Sequence, residues 1–460
     1  MEMSDSKTSY FSKSKISSAI LKQALPLTVA ELANFLYSTI DRIYIGHIPD
    51  IGVDALSGVG FTIPFITIIL GLTSLFGTGG TPLFSIALGA KEENKARKIV
   101  GNAFSMLLIS SIVITIVSIV FMKPILLFFG ANEIISLYAS KYLNIYLLGT
   151  VFTMVSTGMN DYITAQGYPK LAMFTIVIGA IINAVIDPIF IFAFNLGIEG
   201  AAIATVISQF ISCIWVMNFF FRDRKGIRLN KDSFKLDLKV CSRIILNGTP
   251  GFVMNASSSA VTIVANHTLM QYGGEFYVSI MTVVNSVCSI MRVGVNGITN
   301  GAKAVLGYNY GAGQFDRVKQ GIRFSSLFAF VYSAVIWILI VLFPSFFFSI
   351  FTDDVALCEV GNKYLQYFFL AYVFMALQFS GQSTFMALGK AKPSICFSLL
   401  RKVILVIPLT IFLPMFLTDS NSGVFLAEPI SNIIGGSASF LTMYFTVYRR
   451  LGKENQKKPR

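Results

Sequence analysis

The sequence predicts an all-α integral membrane protein of twelve transmembrane helices, arranged as two six-helix lobes related as parallel repeats. Three observations carry that prediction. The 460 residues are 54% hydrophobic and only 13% charged, with mean hydropathy +0.70, whereas a soluble chain carries about 25% charged residues. Apolar runs of bilayer-crossing length alternate with short connections rich in Gly, Pro and basic residues. Stretches of the first half recur in the second at a nearly constant offset: LPLTVAE from Leu25 answers to TPGFVMN from Thr249, GTGGTPLFSIALGA to TNGAKAVLGYNYGA, and TAQGYPK to MALGKAKP.

A crossing helix needs roughly 20 apolar residues, and twelve segments qualify, at about 18–45, 57–80, 99–127, 133–159, 169–194, 198–221, 240–270, 275–302, 321–350, 362–387, 394–418 and 423–448. Turn signals separate them: Pro49-Asp50, Gly89-Ala90, Gly130-Ala131, Gly167-Tyr168-Pro169, Leu196-Gly197, Gly273-Gly274, Gly311-Ala312-Gly313 and Asn421-Ser422-Gly423. The longest polar stretch, Phe221 to Lys239, falls between the two sixes. The expected organisation is therefore a cytoplasmic N-terminal tail over 1–17, a first lobe over 18–221, a cytoplasmic linker over 222–239, a second lobe over 240–448 and a basic tail over 449–460.

Basic residues crowd every second connection: Lys91, Lys95, Arg97 and Lys98; Lys170; Arg222 to Arg243; Arg317, Lys319 and Arg323; Lys390 and Lys392. Positive charge stays on the cytoplasmic side, so both termini, with Arg449, Arg450 and the Lys457-Lys458-Pro459-Arg460 tail, are expected there. The net charge of +13 is thus topogenic, with contact to anionic membrane lipids. Nucleic acid is not expected, because the aromatic residues lie in lipid-length segments rather than on a basic soluble face. Cys213, Cys241, Cys288, Cys358 and Cys396 are scattered, and His47 and His267 stand alone, so neither a disulfide framework nor a metal cluster is indicated. Gly71, Gly77, Gly79, Gly80 and Pro82 lack the GK[ST] ending and preceding strand of a nucleotide loop. They read as close helix packing or a hinge. Without an ATP motif, the energy source is expected to be an ion gradient, worth roughly 2.3 kcal/mol per charge per 100 mV. The first 15 residues lack the apolar core of a cleavable signal peptide, so the first crossing helix is expected to direct insertion.

The stretch Leu25 to Gly46, LPLTVAELANFLYSTIDRIYIG, is apolar yet carries Glu31, Asn34, Asp41 and Arg42. A carboxylate at membrane depth is costly and marks a functional position. In the repeat, Pro250 answers Pro26 and Asn255 answers Glu31, but Ala265 stands where the first half has Asp41. An acid in only one of two similar halves suggests a transporter whose first half handles a cation.

Essentially the whole chain resembles the multidrug and toxin extrusion (MATE) family, and within it the bacterial MepA-like branch. The resemblance rests on Pro26 with Asp41 to Gly46 (DRIYIG), Asn160 to Pro169 (NDYITAQGYP), Asn183 to Pro188 (NAVIDP), Gly197 to Thr205 (GIEGAAIAT), and Tyr308 to Ala312 (YNYGA) followed by Arg317. It implies the MATE fold in a bacterial cytoplasmic membrane. The implied activity is export of unrelated, often cationic, lipophilic drugs and dyes in exchange for inward H⁺ or Na⁺, by a monomer with no cofactor and no ATP. It places the coupling carboxylates of the first lobe on Asp41 and Asp187.

Helix geometry agrees with a shared layer. At 1.5 Å rise per residue, Asp41 lies roughly 35 Å along the first helix and Asp187 roughly 27 Å along the fifth, while Thr205 is about 10 Å into the sixth from the opposite face. Asn183 and Asp187 project from one face. Asp41, Asn183, Asp187 and Thr205 could thus offer hard oxygen ligands to Na⁺, or the two acids could share a proton. The competing readings are that Asp187-Pro188 merely ends or kinks a helix and that Asp41 pairs with Arg42. Asn160 belongs to the same family pattern but falls below that layer and ranks second.

For substrate, Glu31 and Asn34 lead, with Phe35, Tyr37, Met154, Met173 and Phe174 as adaptable apolar walls and Asn255 from the second half. Glu31 either attracts a cation in the cavity or pairs with a basic residue of another helix. The second half is expected to have no acid in a segment core, its amides serving as interhelical glue, and Arg401 either to meet a carbonyl or to reach toward the cytoplasmic surface. A lipid-linked oligosaccharide flippase is the alternative. It needs a basic cavity for pyrophosphate, against the acids Glu31, Asp41 and Asp187. An enzyme is not expected, since no nucleophile or metal set converges.

Overall fold

The computed structural model describes residues 10–49, 51–128, 133–222, 226–351 and 355–451. Several sequence features, namely Asp50, the Gly130-Ala131 turn, Arg224, Lys225 and the Lys457 to Arg460 tail, lie outside the described residues, as do most of the 1–17 segment and the end of 449–460.

The described chain is helical throughout its apolar runs. In the first half, α1 spans Ile16–Gly46, α2 Gly52–Phe76, α3 Thr81–Gly89, α4 Glu93–Phe128, α5 Glu133–Leu148, α6 Thr150–Ala165, α7 Pro169–Pro188 and α8 Gly197–Phe221. A continuous run, α9, covers Leu238–Gly311 and contains two helices that meet at Gly274, whose φ of 70° and ψ of −166° only glycine adopts easily. Then follow α10 Phe315–Leu342, α11 Pro344–Ser349, α12 Val355–Phe369, α13 Tyr372–Ala387, α14 Ala391–Leu399, α15 Ile407–Phe416, α16 Ser420–Ser431 and α17 Ser437–Met443. Wide π-type turns extend α7 over Ile189–Ala193, join α14 to α15 over Leu400–Val406, and join α16 to α17 over Asn432–Gly436.

Three segments that read as unbroken in the sequence are interrupted. The fourth breaks at Gly149, where a Cβ would meet Val206 Cγ2 of α8 at 2.5 Å, so the backbone comes too close for any side chain. The tenth breaks at Leu370-Ala371, between α12 and α13. The ninth likewise stops at Phe343 because Pro344 cannot continue the helix.

Eight helices among the described residues are long and apolar enough to cross a bilayer, which makes this a multi-pass membrane protein. The polar content of α1 and the breaks beside α5, α6, α12 and α13 keep those elements out of the eight. Ile109, Ile112, Val113, Ile116 and Val120 of α4 are all more than 50% exposed. Their helical spacing forms one bare apolar face, which suits lipid and not water.

The chain divides into two compact units. One holds Val29–Phe252 and the other holds Phe11–Thr28 together with Val253–Arg460. In the first, glycine sequences account for close backbone approaches: a Cβ at Gly77 would meet Gly158 Cα at 2.6 Å and one at Gly79 would meet Gly248 Cα at 2.5 Å. The Tyr162 hydroxyl donates to Gly77 O at 2.9 Å. The stretch before α9 is fastened to α4, with Asp237 N donating to Asn102 Oδ1 at 2.8 Å and Ser105 Oγ to Phe234 O at 3.2 Å. In the second unit, Arg317 donates to Phe11 O at 2.7 Å, Ser14 O at 2.6 Å and Asn309 Oδ1 at 3.0 Å. Phe11 itself is fully buried beside Tyr308. An apolar core around Phe348, Phe369, Tyr372 and Phe425 completes that unit.

Candidate functional site

The first unit encloses a cavity of about 550 Å³, a size that holds a drug-sized molecule. The polar residues of α1 line it: Glu31, Asn34, Tyr37, Ser38, Asp41 and Arg42. They fall on one side of the helix because residues three and four apart are neighbours. Asp161, Gln209, Tyr142 and Tyr146 add further polar wall.

Asp41 stands in the cavity wall and is 8% exposed, while Asp187 and Asn183 lie behind it, at 0% and 1%. The two carboxyls are within hydrogen-bonding range of each other. Asn183 Nδ2 donates to Asp187 Oδ1 at 3.1 Å and lies 3.4 Å from Thr205 Oγ1. Thr205 in turn is within hydrogen-bonding range of the Tyr37 hydroxyl. Asp41 Oδ1 and Asp187 Oδ2 are buried with no hydrogen-bond partner. Such acceptors are costly unless something fills them, and two ionised carboxylates at this range repel. A shared proton or a small cation relieves both costs. The Asp41–Arg42 ion pair considered from the sequence does not form. Pro188 lacks the N–H that would bond Ala184 O, and the helix widens directly after it, so Asp187 sits where helical bonding changes pattern.

The structure therefore brings Asp41, Asn183, Asp187 and Thr205 together. Asn160 of α6, expected below that layer, lines the same cavity. Its amide donates to Ala172 O at 3.0 Å and its Oδ1 has no partner. Of the expected substrate residues, Glu31, Asn34 and Tyr37 line the cavity. Phe35, Met154, Met173 and Phe174 do not: Met154 is wholly buried and Phe174 is 43% exposed. Asn255 belongs to the second unit and lies off its cavity. Sequence reasoning missed Tyr142 and Tyr146, stacked at 5.9 Å between ring centroids. Their i, i+4 spacing on a buried face was the available signal.

The expectation that no acid lies in a segment core of the second half is wrong. Glu428 lies within the last apolar segment and pairs with Arg401 at 3.3 Å and with Lys402. Arg401 thus meets this carboxylate and, as one of the two expectations had it, a carbonyl, the side-chain Oδ1 of Asn432; it is buried and does not reach toward the cytoplasmic surface. Among the described residues no group of three or more His, Cys, Asp and Glu is placed to hold a metal ion.

Known proteins match this fold. The MatE family profile matches residues 26–189 and 250–412. The multidrug export protein MepA of Staphylococcus aureus (strain MRSA252) is 24% identical over 444 residues, 96% of either chain, and that of Staphylococcus saprophyticus is 22% identical over the same coverage. A crystal structure of MATE in complex with MaD3S has a TM-score of 0.90 at 20% identity, covering 98% of this chain and 99% of that one. An outward-facing conformation of a multidrug resistance MATE family transporter of the MOP superfamily also has a TM-score of 0.90 at 20% identity, covering 97% and 99%. A multi-pass all-α protein with a polar cavity among its helices has the architecture of a membrane transporter, and the family match decides the class. The chain belongs to the MatE family, in its MepA-like branch, and is a secondary transporter rather than an enzyme.

Proposed function

We infer that the protein exports lipophilic cationic drugs and dyes in exchange for inward H⁺ or Na⁺. The observation that carries this reading is the pair of buried, unpartnered oxygens Asp41 Oδ1 and Asp187 Oδ2, set against a cavity whose wall includes Glu31, Asp41 and Asp161. Asp41, Asp187, Asn183 and Thr205 take the coupling ion, with Asn160 nearby. Glu31, Asn34 and Tyr37 meet the cargo. An ion drives the cycle only by binding one conformation better than the other, so the proposal requires that the other conformation satisfy these two acceptors differently.

The architecture that goes with this function is twelve crossings in two six-helix lobes, 18–221 and 240–448, joined by a cytoplasmic linker. Both termini lie in the cytoplasm of a bacterial cell and the protein works as a monomer. The repeat offset supports it, as does the recurrence of the Gly149 break at Ala371, 222 residues on. The acidic wall of the first-unit cavity argues against a pyrophosphate-bearing cargo there. Dye efflux from everted vesicles, with a pH gradient and a Na⁺ gradient imposed separately, tests the function: one gradient should drive dye movement, and no response to either would overturn it.

A further inference from the structure

The second unit has a cavity of its own, about 100 Å³, with a charge balance opposite to the first. Three cations line it: Arg292 from α9, and Arg401 and Lys402 from the wide turn between α14 and α15. One carboxylate, Glu428 of α16, answers them, bonded to both Arg401 and Lys402. Arg292 Nη2 lies 3.4 Å from Ser289 Oγ, a long bond to a neutral group. Cys288 and Tyr372 are the other titratable groups on the wall. The Tyr372 hydroxyl is buried, with the residue 2% exposed, and has no hydrogen-bond partner.

Buried charge is tolerated when opposite charge and hydrogen bonds compensate it. Here two positive charges remain in excess, and a buried hydroxyl donor is idle beside them. We propose that this cavity binds a carboxylate group, held by Arg292, Arg401 and the Tyr372 hydroxyl, with Glu428 as the resident counter-ion of Lys402. The guanidinium fork matches two carboxylate oxygens. The cavity is too small for a ring system but holds a group the size of several waters. The carboxylate comes either from a free small acid or from the acidic end of a larger molecule that projects beyond the cavity.

The test uses the purified full-length protein in detergent, titrated by calorimetry with sodium acetate or sodium benzoate against a sodium chloride background at constant ionic strength. Acetate should bind saturably. Binding of acetate alone identifies a free small acid, and comparable binding of benzoate identifies the acidic end of a larger molecule. Tyr372→Phe should weaken binding about fivefold, the loss of one hydrogen bond, with the unliganded unfolding temperature unchanged because that hydroxyl has no protein partner. Arg292→Gln should weaken it further. Glu428→Gln should tighten it by freeing Arg401 and adding the charge of Lys402, and if that variant does not fold, the first two carry the test. No saturable acetate binding to the wild type, or wild-type binding by both Tyr372→Phe and Arg292→Gln, would overturn the proposal.

Discussion

The side-chain amide of Asn183 donates to the Asp187 carboxylate one helical turn away, at 3.1 Å. That bond orients one oxygen of Asp187 and leaves the other, Oδ2, unpartnered, within a buried group whose carboxyl faces that of Asp41. An amide can orient a carboxylate but cannot neutralise it. Under the proposed function the neutralising species is the exchanging H⁺ or Na⁺.

Asp41→Asn and Asp187→Asn should therefore each abolish gradient-driven dye accumulation while folded protein remains in the membrane. Dye binding should persist with its pH or Na⁺ dependence flattened, since the amide copies the acid's shape without its exchangeable charge. Wild-type transport and ion dependence in either variant would remove that residue from the site.

Thr205→Val keeps the side-chain volume and removes the hydroxyl near Asn183 Nδ2. The ion concentration for half-maximal transport should rise about tenfold, equivalent to roughly 1.4 kcal/mol, and Thr205→Ser should restore it. Equal losses in both variants would point to packing instead.

Glu31 lines the first-unit cavity, and a carboxylate in a partly dehydrated wall attracts a cation more strongly than one in water. Glu31→Gln should weaken binding of a monovalent cationic dye more than binding of a neutral analogue. Equal weakening of the two ligands would speak for a structural role.

At Gly79 a Cβ would lie 2.5 Å from Gly248 Cα, and neither backbone can rotate out of the way as a side chain could. Gly79→Ala should lower stability by on the order of 1–3 kcal/mol, read as a lower unfolding temperature in detergent. Gly60→Ala is the control, because nothing lies within 4 Å of its added Cβ.

Asp419, in the connection between α15 and α16, accepts from Lys363 Nζ and Tyr364 Oη at 2.9 Å and from Ser422 Oγ at 2.6 Å. Partial burial pushes its carboxyl up, but these hydrogen bonds and the Lys363 charge outweigh burial and hold it at about 2. A lowered folded-state value gives stability that is complete above the unfolded value of about 4 and is lost as the pH falls through about 2. Unfolding temperatures of wild type and Asp419→Asn should thus differ at pH 6 and converge toward pH 2. A constant difference across that range would exclude the ionised form as the cause.

What the sequence disclosed follows from cost. Asp41, Asn183, Asp187 and Thr205 stood out because polar groups in apolar runs are expensive, and helix rise placed them at compatible depths. Tyr142 and Tyr146 did not stand out, because tyrosine in a membrane helix equally suits an interface. Glu428 was hidden in the apolar run GVFLAEPIS, and its partners Arg401 and Lys402 belong to another element, so their pairing exists only in three dimensions. The breaks at Gly149 and Ala371 lie inside continuous apolar sequence. The Val206 side chain closes on the backbone at Gly149 and Ala371 leaves helical geometry at φ −120° and ψ 31°, and neither is written as polarity.

The division of the chain also bears on how the protein is made. Residues 11–28 belong with partners that lie far along the chain, such as Asn309, whose amide reaches Phe11 O across 298 positions. At 5–20 residues per second, a ribosome needs roughly 15–60 s to supply them. Through that interval residues 11–28 lack those partners. The second unit expressed from Val253 onward would lack the segment that fills this place, so co-expression with a peptide covering residues 11–28 is the natural way to rescue it.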